Sequence, residues 1–171
     1  MATAQVITLN DFDSGRMKIP RTPWQAIDLH SYIDEQEEET LIRLLGLDLY
    51  VLFLADLDPQ GVPQTARFLD IYNSFVLSDD CNNCRSRGMV HLLKGITFFH
   101  IQRDQPVKAT TTGPKRKKGE NSENMDMSSF DIFTRYNNSV DDYFCIRQKI
   151  CNEIDLYPEF KGVELEYVIN M

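Results

Sequence analysis

Apolar residues recur along residues 88–103 at nearly every helical angle. Met89, Leu92, Leu93, Ile96 and Phe99 fall at i, i+3, i+4 and i+7 spacing, which predicts a helix with one apolar face. Val90, Thr97, Phe98 and Ile101 form a second apolar strip, so little of this helix is left for water. A helix that is apolar almost all round belongs in a core or in a membrane. This one has 16 residues and carries Lys94, two histidines and Arg103, too short and too polar for a bilayer. It is therefore predicted to be a central helix packed on two sides. Gly95 at its middle costs about 1 kcal/mol against alanine, a loss that a close helix crossing would offset.

Four more helices and several extended segments surround it in the pattern. Residues 28–45 put Leu29, Ile33, Thr40, Leu41 and Leu44 on one face and Glu35, Glu38 and Glu39 mostly on the other. Gly46 is placed to end that helix. The apolar run 47–57 predicts a second helix, cut off by Asp58, Pro59, Gly61 and Pro63. A third is expected over residues 65–76, with Phe68, Leu69, Tyr72, Phe75 and Val76 on one side. Asp79, Asp80, Asn82 and Asn83 then predict a tight loop or short hairpin. The last long helix is expected over residues 129–156, where Phe133, Tyr136, Val140, Tyr143, Arg147, Ile150, Ile154 and Tyr157 make a coiled-coil-like seam ended by Pro158. The polar segment 104–128 between the last two helices is long for a compact domain, and the alternation around Val107 permits a hairpin there. Residues 1–24, with Gly15, Pro20 and Pro23, read as an extended arm that wraps its own body or reaches a neighbour. The alternating run around Val6 to Leu9 allows it one strand. Alternating Val163, Leu165, Tyr167 and Ile169 predict a short C-terminal strand in the tail 161–171. The expected architecture is thus mainly α: a bundle of about five helices over residues 25–160, an N-terminal arm, and a long loop or β-hairpin at 104–128.

Charge sharpens this picture. The chain of 171 residues carries a net charge of −8, which argues against general polyanion binding. Its distribution is uneven: residues 28–80 hold twelve acids against two bases, and residues 103–118 hold six bases against one acid. An acidic body with one basic loop points to partner contact. Four cysteines are too few and too clustered for a secreted disulfide scaffold, and residues 1–15 lack the basic and apolar regions of a signal peptide. Synthesis in a reducing, intracellular setting is the expectation, with no membrane segment.

Candidate chemistry is sparse. Cys81 and Cys84 have the spacing of half a zinc knuckle, with His91 as the nearest further ligand, but Cys145 and Cys151 point in different directions on a helix. Turn cysteines beside a hairpin are the plainer reading of the pair. His30, His91 and His100 sit in no nucleophile, zinc-protease or phosphate-loop motif, so His91 and His100 are expected to be packed or capping groups. The acidic run Asp34 to Glu39 reads as a solvated helix face, and a hydrolase built from it and a histidine has no motif behind it. Lys115, Arg116, Lys117 and Lys118 would touch phosphates only weakly and without sequence preference; a solvated loop is the plainest reading, with contact to an acidic protein surface next.

These residues resemble a known family. The pattern Leu44-Leu45-Gly46-x-x-Leu49-Tyr50 comes first, then Phe98-Phe99-His100-x-x-Arg103-Asp104. Thr110-Thr111-Thr112-Gly113 and Glu120-Asn121-Ser122 follow, then Arg135-Tyr136-Asn137 and Tyr157-Pro158-Glu159-Phe160. In this order, over residues 12–160, they are similar to head–tail connector (neck adaptor) proteins of tailed bacteriophages, in particular Bacteroidetes-infecting and crAss-like phages. The resemblance implies a helical bundle that assembles into a ring, usually dodecameric, joining the portal to other neck or tail proteins and lining the DNA channel of the virion. It implies no catalytic residues and no cofactor, and only transient, non-specific contact with passing DNA. Lys115, Arg116, Lys117, Lys118, Glu120, Asn121, Tyr157, Phe160 and Tyr167 are the expected portal or subunit contacts. The alternative is a small zinc-stabilised module, using Cys81 and Cys84, that binds nucleic acid through its basic loop.

Overall fold

A computed structural model describes residues 5–19, 25–79, 82–104, 108–110, 113–115, 129–163 and 165 of the chain. Two 3-10 turns, Leu9–Phe12 and Gly15–Met17, lead into α1 (Gln25–Leu45), α2 (Leu47–Asp56) and α3 (Ala66–Tyr72). The hairpin of β1 (Phe75–Asp79) and β2 (Asn82–Ser86) precedes α4 (Met89–Asp104). A second, three-residue hairpin, β3 (Lys108–Thr110) with β4 (Gly113–Lys115), precedes α5 (Ser129–Asn152) and a closing 3-10 turn at Ile154–Leu156. The protein is mainly helical, a five-helix bundle with small antiparallel hairpins, as its sequence pattern predicts.

The core forms on α4, whose Met89, Leu92, Leu93, Ile96, Thr97, Phe98, Phe99 and Ile101 are all buried. It packs on both α5 and α1. At the α4–α5 crossing a Cβ added to Gly95 would overlap the hydroxyl of Ser139, so the absence of a side chain sets how closely the two helices approach. Ser139 is fully buried there and donates its hydroxyl back to the Arg135 carbonyl at 3.3 Å. One turn along, the Phe99 ring packs on Tyr136 with centroids 4.4 Å apart. Along α5 the buried Tyr136, Val140, Tyr143 and Ile150 are members of the predicted seam.

The joint between α1 and α2 rests on Gly46, which has φ +79°, a left-handed value that other residues rarely adopt. It ends α1 with a 2.8 Å bond from its amide to the Ile42 carbonyl and at once offers its own carbonyl to Tyr50 as α2 begins. The last carbonyls of α1 would lack intrahelical partners. The tail after α5 supplies them: the amides of Lys161 and Val163 donate to Leu45 and Arg43 at 3.2 and 2.8 Å. Tyr143 then ties the tail to α5 through a 2.5 Å bond from its hydroxyl to the Val163 carbonyl.

The arm wraps its own body. Ile7 and Phe12 are essentially inaccessible, and Val6 and Ile19 are buried as well. Residues 5–8, expected as a possible strand, pair with no strand; the Val6 and Ile7 amides donate instead to the two carboxylate oxygens of Glu37 at 2.9 and 2.8 Å. Glu37 is therefore not part of a wholly solvated acidic face. It is buried against the arm, while Asp34, Glu35, Glu38 and Glu39 stay exposed.

One further expectation is corrected. The helix expected over residues 65–76 stops at Tyr72, where Asn73 turns extended, and Phe75 and Val76 enter β1. A short apolar run is compatible with either state, and the deciding partner, β2, lies downstream: Phe75 pairs with Ser86 and Leu77 with Cys84. The strand expected in the tail does not begin at Gly162 or Val163, which are irregular, and residues 164 and 166–171 lie outside the described residues.

Candidate functional site

Two surfaces gather residues that folding alone does not require. The first is the outer face of α2. This helix is so rich in apolar residues that Leu49, Tyr50 and Phe53 suffice to bury its inner side. Leu47, Val51 and Leu52 are left 61%, 56% and 40% exposed, with Ala55 exposed one turn beyond Val51. A shallow cavity of about 450 Å³ continues the face, lined by Leu52, Ala55, Asp56, Thr65, Arg67 and Phe68. Arg67 closes its far side, with its guanidinium 4.5 Å from the Phe68 ring centroid and bonded to the Leu156 carbonyl at 3.1 Å. Leu156 is itself 53% exposed. Contiguous exposed apolar surface of this kind marks contact with another molecule. Lys161 and Asp48, paired at 2.7 Å, supply a charged feature near the start of α2.

The second surface is a cavity of about 380 Å³ between the second 3-10 turn, the start of α4 and the first half of α5. Its lining is Arg16, Met17, Arg87, His91, Asp131, Thr134, Arg135 and Asn138. Behind it lies Asp142, fully buried on the face of α5 that also carries Ser139 and Ile146. A buried carboxylate must be compensated. Here the Arg87 amide donates to it at 2.8 Å, the Arg87 Nε at 3.3–3.4 Å, and His91 Nδ1 lies 2.8 Å from its other oxygen. An ionised carboxylate only accepts, so His91 carries its proton on Nδ1, leaving Nε2 to interact elsewhere. Arg87 is fixed a second time by its Nη2, which donates to the Asn138 carbonyl at 2.8 Å. Arg135 donates through Nη1 to the Arg16 carbonyl and stacks 5.6 Å from the Phe98 ring centroid.

The cysteines also meet across the fold. Cys84 on β2 forms a disulfide with Cys145 on α5, 61 residues later in sequence, while Cys151 is free and exposed. This corrects the pairing by sequence proximity that supported a zinc site. The Cys84 sulfur is occupied by Cys145, and Cys81 lies outside the described residues. Among the described residues, no group of three or more His, Cys, Asp or Glu side chains comes together as a metal site.

The expected contact residues fare unevenly. Tyr157 is entirely buried and donates its hydroxyl to the Arg67 carbonyl at 2.6 Å, so it is a core residue and offers no surface. Phe160 is half-buried against the core. Lys115 ends β4. Arg116, Lys117, Lys118, Glu120, Asn121 and Tyr167 lie outside the described residues. His91 fits the expectation of a packed group only in part, because it also lines the cavity. Sequence reasoning missed Asp142. The available signal was a polar pair, Ser139 and Asp142, one turn apart beside an apolar seam.

No described helix is long and apolar enough to cross a membrane. No protein-family model, curated protein or solved structure matches the chain.

Proposed function

We propose that this protein is a structural subunit that assembles with copies of itself into a ring, as a head–tail connector of a tailed bacteriophage. The observation that carries the reading is the exposed apolar face of α2, Leu47, Val51 and Leu52. Its occupant in this reading is a second copy of the chain. A ring that closes through one repeated contact needs two different, complementary patches on each subunit. The α2 face supplies one. The charge asymmetry supplies a direction, because the exposed acids of α1 and the basic run in residues 103–118 attract each other between copies but cannot be superimposed on one another. In the assembled neck the acidic surface facing the channel would repel packaged DNA and keep it mobile. The portal and further neck or tail proteins are the expected partners at the two rims, with residues 104–128 reaching one of them.

The test is assembly. Purified protein, alone and with its portal, is imaged by negative-stain electron microscopy and weighed by mass photometry. Rings are expected, and Val51→Lys should shift the population to monomers while circular dichroism stays unchanged. A chain that remains monomeric alone and with portal or neck proteins refutes the proposal.

A further inference from the structure

We propose that the cavity lined by Arg16, Arg87, His91 and Arg135 is a binding site for a phosphate monoester. This inference does not rest on ring assembly. A chain with a net charge of −8 here places three guanidinium groups around one concavity, with Asp131 the only acid among the described residues of its lining. Asp142 lies behind and is already engaged by Arg87 and His91. Like charges held together repel one another, and the exposed Arg16 has no part in the core at this spot. An anion in the cavity turns that repulsion into attraction.

Two of the three guanidinium groups are also held in advance of any ligand. Arg87 spends Nε on Asp142 and Nη2 on the Asn138 carbonyl, and Arg135 spends Nη1 on the Arg16 carbonyl. A guanidinium has five N–H donors, so each arginine keeps donors beyond those contacts. Planar, pre-fixed forks of this type suit the oxygens of phosphate. Thr134 and Asn138 add neutral hydrogen-bonding groups to the wall. His91, which carries its proton on Nδ1 toward Asp142, has Nε2 left to accept a hydrogen bond from a hydroxyl of the attached group.

Size decides between a bare ion and an ester. At about 380 Å³ the cavity is far larger than one small ion and falls in the range of small-molecule sites. It has room for the phosphate and for a sugar-sized group on it. A terminal phosphate enters such a concavity more readily than a continuous nucleic-acid backbone.

The experiment uses the full-length chain with inorganic phosphate, ribose 5-phosphate and a short single-stranded oligonucleotide lacking terminal phosphates. Binding is followed by calorimetry and by NMR of the His91 ring and arginine Nε–H signals. Ribose 5-phosphate is expected to bind more tightly than inorganic phosphate and to shift His91. Arg16→Gln, on an exposed turn, should weaken it about tenfold, as loss of one charge-assisted contact does. Arg135→Gln should weaken it at least as much, and Arg43→Gln on α1 should not. Arg87 is left intact because it supports buried Asp142, and the Arg16 variant remains decisive if Arg135→Gln fails to fold. Equal binding by wild type and Arg16→Gln overturns the proposal. So does binding of the oligonucleotide with no response to either phosphate, or a His91 shift produced equally by chloride or acetate.

Discussion

The contact between Glu37 and the N-terminal arm offers the sharpest test of how this fold is held. Glu37 accepts the Val6 and Ile7 amides, one on each carboxylate oxygen, at 2.9 and 2.8 Å. Glu37→Ala leaves two buried amides without acceptors, at about 1–3 kcal/mol each, or roughly 2–6 kcal/mol if water cannot reach them. Glu37→Gln keeps one carbonyl oxygen and turns an NH2 group toward the other amide, so it should lose about half as much. The native carboxylate adds a pH dependence of defined sign. Burial, reinforced by the negative charges of Asp34 and Asp11, outweighs the two amide bonds and pushes Glu37 from its ordinary 4.5 up to about 7. The folded state therefore holds this proton more tightly than the unfolded chain does. The resulting stabilisation is full below pH 4.5 and lost as pH rises through 7, and at about 1.4 kcal/mol per pH unit it amounts to roughly 3 kcal/mol. Chemical denaturation at steps between pH 5 and pH 8, with hydrogen exchange at Val6 and Ile7, measures both effects. Wild type should lose stability across this window, and Glu37→Gln should lose that part of the slope. In Glu37→Ala the two arm amides should exchange faster. Unchanged exchange in Glu37→Ala, together with identical pH profiles for wild type and Glu37→Gln, would refute the reasoning.

Three other outcomes follow from the packing. Gly95→Ala gains about 1 kcal/mol of helix propensity but forces a methyl group onto Ser139, and overpacking of this kind costs about 1–3 kcal/mol. Thermal unfolding should show a net loss, partly restored by Ser139→Ala, which removes the hydroxyl in the way. Reducing Cys84–Cys145 reopens a loop spanning 61 residues, worth at most about 4 kcal/mol by chain entropy, so reductant should lower the melting temperature of wild type and leave Cys84→Ser unmoved. A mass difference of two hydrogens between reduced and oxidised protein verifies the bond. Tyr157→Phe removes the 2.6 Å bond to the Arg67 carbonyl and should cost about 1 kcal/mol in urea denaturation, with assembly unaffected because the ring is buried.

What the sequence determined by itself is local. Period and punctuation located all five helices, the turn that joins β1 to β2, the Gly46 joint and the burial of most of α4, because helical periodicity and turn chemistry are written in neighbours a few residues apart. Gly95 marked a close crossing before its partner was known, since a glycine inside a helix is a loss that packing must offset. The end of α3 was not legible, because Phe75 and Val76 suit either a helix or a strand until β2 pairs with them.

Tertiary structure decided everything that depends on which face meets which. Glu37 looks like one more acid in a solvated run until the arm folds over it. Tyr157 fits both the end of the α5 seam and a surface contact until its hydroxyl finds the Arg67 carbonyl. Cys84 stands beside Cys81 in sequence and joins Cys145 in space. Arg16, Arg87, His91, Arg135 and Asp142 come from three separate segments and carry no common motif. The physical reason is shared. Desolvation, ion pairing and disulfide geometry act over a few ångströms through space, whereas sequence patterns report only what lies within a turn or two along the chain.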